Sequence, residues 1–168
     1  GVPTYTEEEK AFAQALIDGY EMPSKNLPGS ACDENAEIAE WVAEVSKNAT
    51  IPLNDFLVPY WFSTKERAGS TDVGDVSWLV PTAQINVVCS PSGAPGHSWQ
   101  NVSCGKSTIA HKGLLCAGKV IAATAIDLYE QPETIAAAKA EWEKRAAGGY
   151  FCPVPADAVP VAVGAQMD

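Results

Sequence analysis

Apolar residues recur at every fourth position near the amino terminus: Phe12, Leu16 and Tyr20, with Ala13 and Ile17 beside them. That spacing predicts a helix with one buried face. Its start is written in "YTEEE". Thr6 can accept a hydrogen bond from the amide of Glu9, and the Glu9 carboxylate can reach back to the amide of Thr6, a capping box. Glu7, Glu8 and Glu9 suit the positive end of the helix dipole. Residues 23–35 carry Pro23, Pro28, Gly29 and Asn35 and read as loop. In "ENAEIAEWVAEVSKN", Ile38, Trp41, Val42 and Val45 share a face and predict a second helix. Pro52 and Pro59 bracket a segment that the pattern leaves unassigned.

The pattern changes in "STDVGDVSWLVPTAQINVVCSPSGAPGHSW". β-branched and aromatic residues dominate, so "VSWLV" and "AQINVVCS" predict strands. The second is nearly all apolar, as in a strand covered on both faces. From Ile109 to Tyr129 a long helix is predicted, with Leu114, Ile121, Ala125 and Leu128 on one stripe. Pro132 suits a first helical turn, so "PETIAAAKAEWEKRAAGG" starts another helix. Its buried stripe would be Ile135, Ala138, Trp142 and Ala146, with Gly148 at its end. The tail, "YFCPVPADAVPVAVGAQMD", reads as extended. Helices around covered strands predict an α/β or α+β fold, with few strands for so many helices.

Composition narrows the partners. The chain has 168 residues, with 46% hydrophobic and 19% charged, enough for a folded domain or one lobe of a larger one. A net charge of −10 with 11 unclustered Lys and Arg argues against nucleic acid and anionic membranes. No apolar run approaches the roughly 20 residues that cross a bilayer, and no basic-then-apolar leader opens the chain. A cytoplasmic protein is expected. The cysteines, Cys32, Cys89, Cys104, Cys116 and Cys152, are odd in number and lack a C-x-x-C pair. Reduced, mostly buried thiols are expected.

Two motifs compete in "SCGKSTIAHKG". Gly105, Lys106 and Ser107 could end a phosphate loop, but the position that needs the first glycine is Gln100. Nucleotide binding is therefore not expected. His111 falls in the opening turn of the long helix, after possible caps at Ser107 and Thr108 and between small residues Ala110 and Gly113. Those small residues leave room for a ligand or another chain segment. An imidazole is a common metal ligand. His97, in "GHSW", could orient a substrate or a group behind the metal, but the simpler reading is a loop histidine bonded to backbone. Asp72 and Asp75, in "STDVGD", could support a metal or substrate, or simply cap the turn. Two histidines and scattered carboxylates do not make the ligand set of a catalytic zinc.

In order, "GSTDVGDVSWLVPTAQ", "GAPGHSWQ", "IAHKGLLCAGKVIA", "PETIAAAKAEWEKR" and "YFCPVP" resemble the aminoacylase/carboxypeptidase-like zinc peptidases, a family of metal-dependent amidohydrolases. The likeness is greatest to the aminobenzoyl-glutamate hydrolase branch. It spans about residues 1 to 155 and is densest from 69 to 119. The resemblance implies a partial three-layer α/β/α catalytic domain, its C-terminal segment carrying long helices on a few strands. Residues 1–155 would be that C-terminal portion and 156–168 an extended tail. It implies hydrolysis of an N-acyl amino acid, dipeptide-like or aminobenzoyl-glutamate-like amide by metal-activated water, in a homodimer. By motif match His111 would bind the metal, zinc or else manganese or cobalt. Asp72, Asp75, His97 and Ser98 would shape the substrate pocket or support the metal. The general-base glutamate would lie outside the segment, and this chain alone would be inactive. The alternative is a non-catalytic binding or assembly module that keeps the scaffold without metal.

Overall fold

A computed structural model describes residues 1–21, 35–47, 50–60 and 71–160. Its helices, in chain order, are α1 (Glu7–Asp18), α2 (Ala36–Val45), α3 (Val73–Leu79), α4 (Trp99–Gly105), α5 (Thr108–Glu130) and α6 (Pro132–Arg145). The chain divides into two units. One comprises Gly1–Gly69 with Gln84–Glu130, the other Ser70–Ala83 with Gln131–Asp168.

The first unit begins as its sequence predicts. The Glu9 amide donates to Thr6 Oγ1 at 3.2 Å, and the Thr6 amide donates to Glu9 Oε2 at 2.7 Å. Asn35 caps α2 by accepting from the Ile38 amide at 3.1 Å. Ser98 caps α4 by accepting from the Asn101 amide at 3.2 Å. These caps satisfy amides that have no partner inside a helix. The core gathers Ala13 and Leu16 of α1, Leu53, Cys104 of α4 and Ile109 of α5, with Tyr5, Tyr20 and Val88 packed against it. A buried aliphatic side chain such as Ile109 contributes roughly 1.5–3 kcal/mol. Phe12 of the predicted face is 38% exposed. Gln100, buried, donates from Nε2 to the Gly19 carbonyl at 3.1 Å and so closes the carboxyl end of α1. Trp41 and Phe56 meet edge to face, with centroids 5.9 Å apart.

Gly113 explains how α5 approaches the chain before α4. A Cβ at this position would overlap the Val88 carbonyl oxygen and lie 2.6 Å from Cys89 Sγ. The space that Gly113 leaves is thus filled by the protein's own backbone, on a different face of the helix from His111. Beyond this contact α5 changes character: Leu114, Leu115, Val120, Ile121, Ile126 and Tyr129 are all exposed. The predicted stripe of Leu114 and Ile121 is therefore not buried here, while Ala125 and Leu128 are half-buried. Among the described residues α5 alone is long and apolar enough to cross a membrane by length and composition. The expectation that no apolar run reaches that length is corrected accordingly.

In the second unit, α3 and α6 are joined by a hydrogen bond from Trp142 Nε1 to the Ser77 carbonyl, 3.0 Å long. Trp142→Phe keeps an aromatic ring, though a smaller one, and removes the donor. It should lower stability by about 1 kcal/mol, read as a shifted urea midpoint with unchanged slope. An unmoved midpoint would show that the bond adds nothing in water. Pro132 occupies the first turn of α6 as predicted. No α6 residue is buried, and Ile135 of the expected stripe is 49% exposed. The helix ends at Arg145 rather than at Gly148. Gly149 then takes the left-handed conformation, φ 74°.

The three-layer α/β/α expectation, with long helices packed on a few strands, is wrong for the described residues. They are all helix or irregular backbone, with no strand and no sheet. "VSWLV" lies mostly in α3. There the Val76 amide donates to the Asp72 carbonyl and the Val80 amide to the Val76 carbonyl, both at 3.1 Å. Ser77 Oγ adds a bond to the Gly74 carbonyl at 2.6 Å. Local bonds thus take the backbone groups that a ladder would need. "AQINVVCS" forms no regular element, and Ile85 is 43% exposed rather than covered. The predicted loop over residues 23–35 and the tail beyond residue 160 lie almost wholly or wholly outside the described residues.

Candidate functional site

The first candidate centre is the start of α5, where a buried carboxylate is the organising group. Thr108 Oγ1 donates to Glu9 Oε1 at 2.5 Å, and Lys112 Nζ donates to Glu9 Oε2 at 2.6 Å. Lys112 also donates to the Thr4 carbonyl at 3.0 Å and lies 5.7 Å from the centre of the Tyr5 ring. The hydrogen bond from Lys112, then that from Thr108, lowers the Glu9 carboxyl to about 2. Burial pushes the Tyr5 phenol up to about 12 and leaves its hydroxyl without a partner among the described residues. The predicted caps of α5 have other duties. Ser107 Oγ donates to the Cys104 carbonyl at 2.6 Å, and Thr108 serves Glu9.

His111 stands one residue before Lys112, with its amide bonded to the Ser107 carbonyl at 3.2 Å. It is exposed, and its imidazole has no hydrogen-bond partner among the described residues. His97 is also exposed and has φ 55°, a left-handed conformation uncommon for a residue with a side chain. Ser98 is used locally, capping α4 and donating to the Pro95 carbonyl at 2.8 Å. His97, Ser98 and His111 belong to the first unit, Asp72 and Asp75 to the second. Among the described residues no group of three or more His, Cys, Asp or Glu side chains is placed to hold a metal ion. These residues alone do not fit a complete metal centre. His111 can offer one nitrogen, short of the three protein ligands usual for catalytic zinc. The described cysteines, Cys89, Cys104, Cys116 and Cys152, are free thiols, and only Cys104 is buried.

The second candidate centre is an open groove of about 430 Å³ within the second unit. Asp75 sits in it among Trp78, Tyr150 and Phe151, with glycines at 74 and 149 widening it. The Tyr150 hydroxyl donates to Asp75 Oδ1 at 2.8 Å. That bond raises the phenol to about 12, with Cys152 adding to the shift. Asp72 is exposed at the N-cap position of α3 but makes no side-chain capping bond. Thr71 Oγ1 accepts from the Val73 amide instead, at 3.3 Å. The structure thus joins Asp75 to three aromatic residues that the sequence pattern does not single out. Tyr150 and Phe151 follow the glycine pair at 148 and 149 that lies just beyond the end of α6, and that juxtaposition of large exposed rings with glycines is the signal that could have found them.

Comparison with known proteins adds the class: the chain is similar to one component of a hydrolase. That relative is a subunit of p-aminobenzoyl-glutamate hydrolase from Escherichia coli (strain K12), 34% identical over 165 residues. The match covers 95% of this chain and 33% of the relative, so the chain spans about a third of the length of the curated relative it matches. The resemblance read from the sequence holds at this level. No family model matches the chain. No solved structure matches it.

Proposed function

We propose that this chain is the C-terminal part of a metal-dependent amidohydrolase that cleaves the amide of an aminobenzoyl-glutamate-like or other N-acyl amino acid substrate. The observation that supports this reading is the 34% identity to a hydrolase component along nearly the whole chain. His111 is the proposed metal ligand of this segment, since it is exposed, lacks a competing hydrogen bond among the described residues, and is set on a helix whose first turn is anchored. The remaining ligands and the general base come from polypeptide outside this sequence, and zinc, manganese or cobalt suits an imidazole ligand. The complete protein works as an assembly, either a homodimer or one with a second kind of chain.

The test is metal content of the complete natural protein, not of this chain alone. His111→Ala should lower it by at least one metal per chain and abolish hydrolysis of p-aminobenzoyl-glutamate. Equal metal in both proteins removes His111 from the ligand set. A wild-type protein with neither metal nor hydrolysis favours a binding or assembly module instead. The isolated 168-residue chain should show no turnover.

A further inference from the structure

We propose that the groove around Asp75 is a binding subsite for a neutral arylamine, the aminobenzoyl end of the substrate. This inference rests on the proposed function for its ligand and on the second unit's geometry for its location. The groove's volume of about 430 Å³ is within the usual range for small-molecule sites. Its chemistry is specific. Three aromatic side chains, Trp78, Tyr150 and Phe151, offer faces or edges to a flat ring. Among them stands one carboxylate. Its Oδ1 is engaged by the Tyr150 hydroxyl, while Oδ2 has no donor among the described residues. An aromatic amine supplies what is missing, an N–H donor on the rim of a ring.

The geometry also orients the ligand. Asp75 repels carboxylates, and the chain as a whole carries a net charge of −10. An aminobenzoyl-amino acid therefore enters amine first, leaving its carboxylates and its amide toward solvent or a partner chain. The Trp142–Ser77 bond holds α6 to α3. The Tyr150–Asp75 bond holds the segment after α6 to the same helix. The Asp75 and Tyr150 side of the groove is thus held before a ligand arrives, which limits the ordering cost of binding.

Calorimetric titration of the full chain tests this, with p-aminobenzoyl-glutamate and benzoyl-glutamate as probes. The two differ only in the amine. The amino compound should bind about tenfold more tightly, the effect of one hydrogen bond to a charged group. Asp75→Asn should bring the two probes within about threefold of each other. Phe151→Ala should weaken both by about fivefold and leave their ratio unchanged. Phe151 is 86% exposed, so its replacement does not threaten folding. Equal affinities for the two probes overturn the proposal, as does no binding of either at millimolar concentration, or a Phe151→Ala chain that binds as wild type. The assay needs no turnover. Amine-selective binding beside a complete protein that hydrolyses nothing would remove the hydrolase reading and leave the subsite. Hydrolysis without amine selectivity would do the reverse.

Discussion

Gly113→Ala is expected to lower the melting temperature by about 5–10 °C, from a loss of roughly 2–3 kcal/mol. The added methyl would run into the Val88 carbonyl oxygen, with the Val88 carbonyl carbon at 3.1 Å and Cys89 Sγ at 2.6 Å. The thiol can swing away because Cys89 is exposed. The carbonyl cannot, because it belongs to the backbone and Val88 packs on the core. Relief would require α5 to lift off the segment before α4. Gly118 offers a control on the same helix, since a Cβ there meets nothing within 4 Å. Gly118→Ala should stabilise by about 0.5–1 kcal/mol, the usual gain from replacing a helical glycine. Thermal unfolding followed by circular dichroism checks both. If the two variants melt together, α5 does not touch Val88 as described.

Glu9→Gln should cost roughly 1–3 kcal/mol at neutral pH and flatten the acid limb of the stability curve. The folded carboxyl titrates at about 2, against an ordinary value of 4.5. Between those values the unfolded chain binds more protons than the folded one, so stability falls as acid is added. The contribution is complete above about 4.5 and is lost as the pH drops toward 2. Lys112 is 36% exposed at its side chain, and solvent screening trims the gain. Glutamine keeps the shape and a carbonyl for Thr108, but it faces Lys112 without charge. Carbon-detected titration of the Glu9 carboxyl gives the direct reading. In Lys112→Met its midpoint should climb back toward the ordinary range. A Glu9 that titrates normally in the wild type would show that the triad does not form.

The helices that the sequence announces have strong local signals. Thr6 and Glu9 bracket the first turn of α1, Asn35 precedes α2, and Pro132 opens α6. Each is decided within a few residues. The strand expectations rest on β-branched composition, which reports fit to a sheet rather than any intrinsic demand for one. In "VSWLV" and the residues just before it, about two turns of local hydrogen bonds suffice to make a helix. Helix α4 is hard to read from the sequence because it is short and starts in a loop-like stretch, although Ser98 is a legible cap. Asp75 is marked as a candidate by its carboxylate and the glycines nearby. Its link to Tyr150 is not, because 75 residues separate them and no periodicity reports a contact of that range. The exposure of His111 is hidden too, since a helix position does not say which neighbours lie over it.

The clamp on Lys112 bears on how deletions should be interpreted. His111 lies between Ala110, which is buried, and Lys112, which is tied to Thr4 and Glu9. The amino-terminal nine residues therefore act as a splint for a ring far along the chain. Trimming them would unmoor the imidazole, although none of their carboxylates stands in a group of side chains placed to hold a metal among the described residues. A shortened protein that loses its metal would not make those residues ligands.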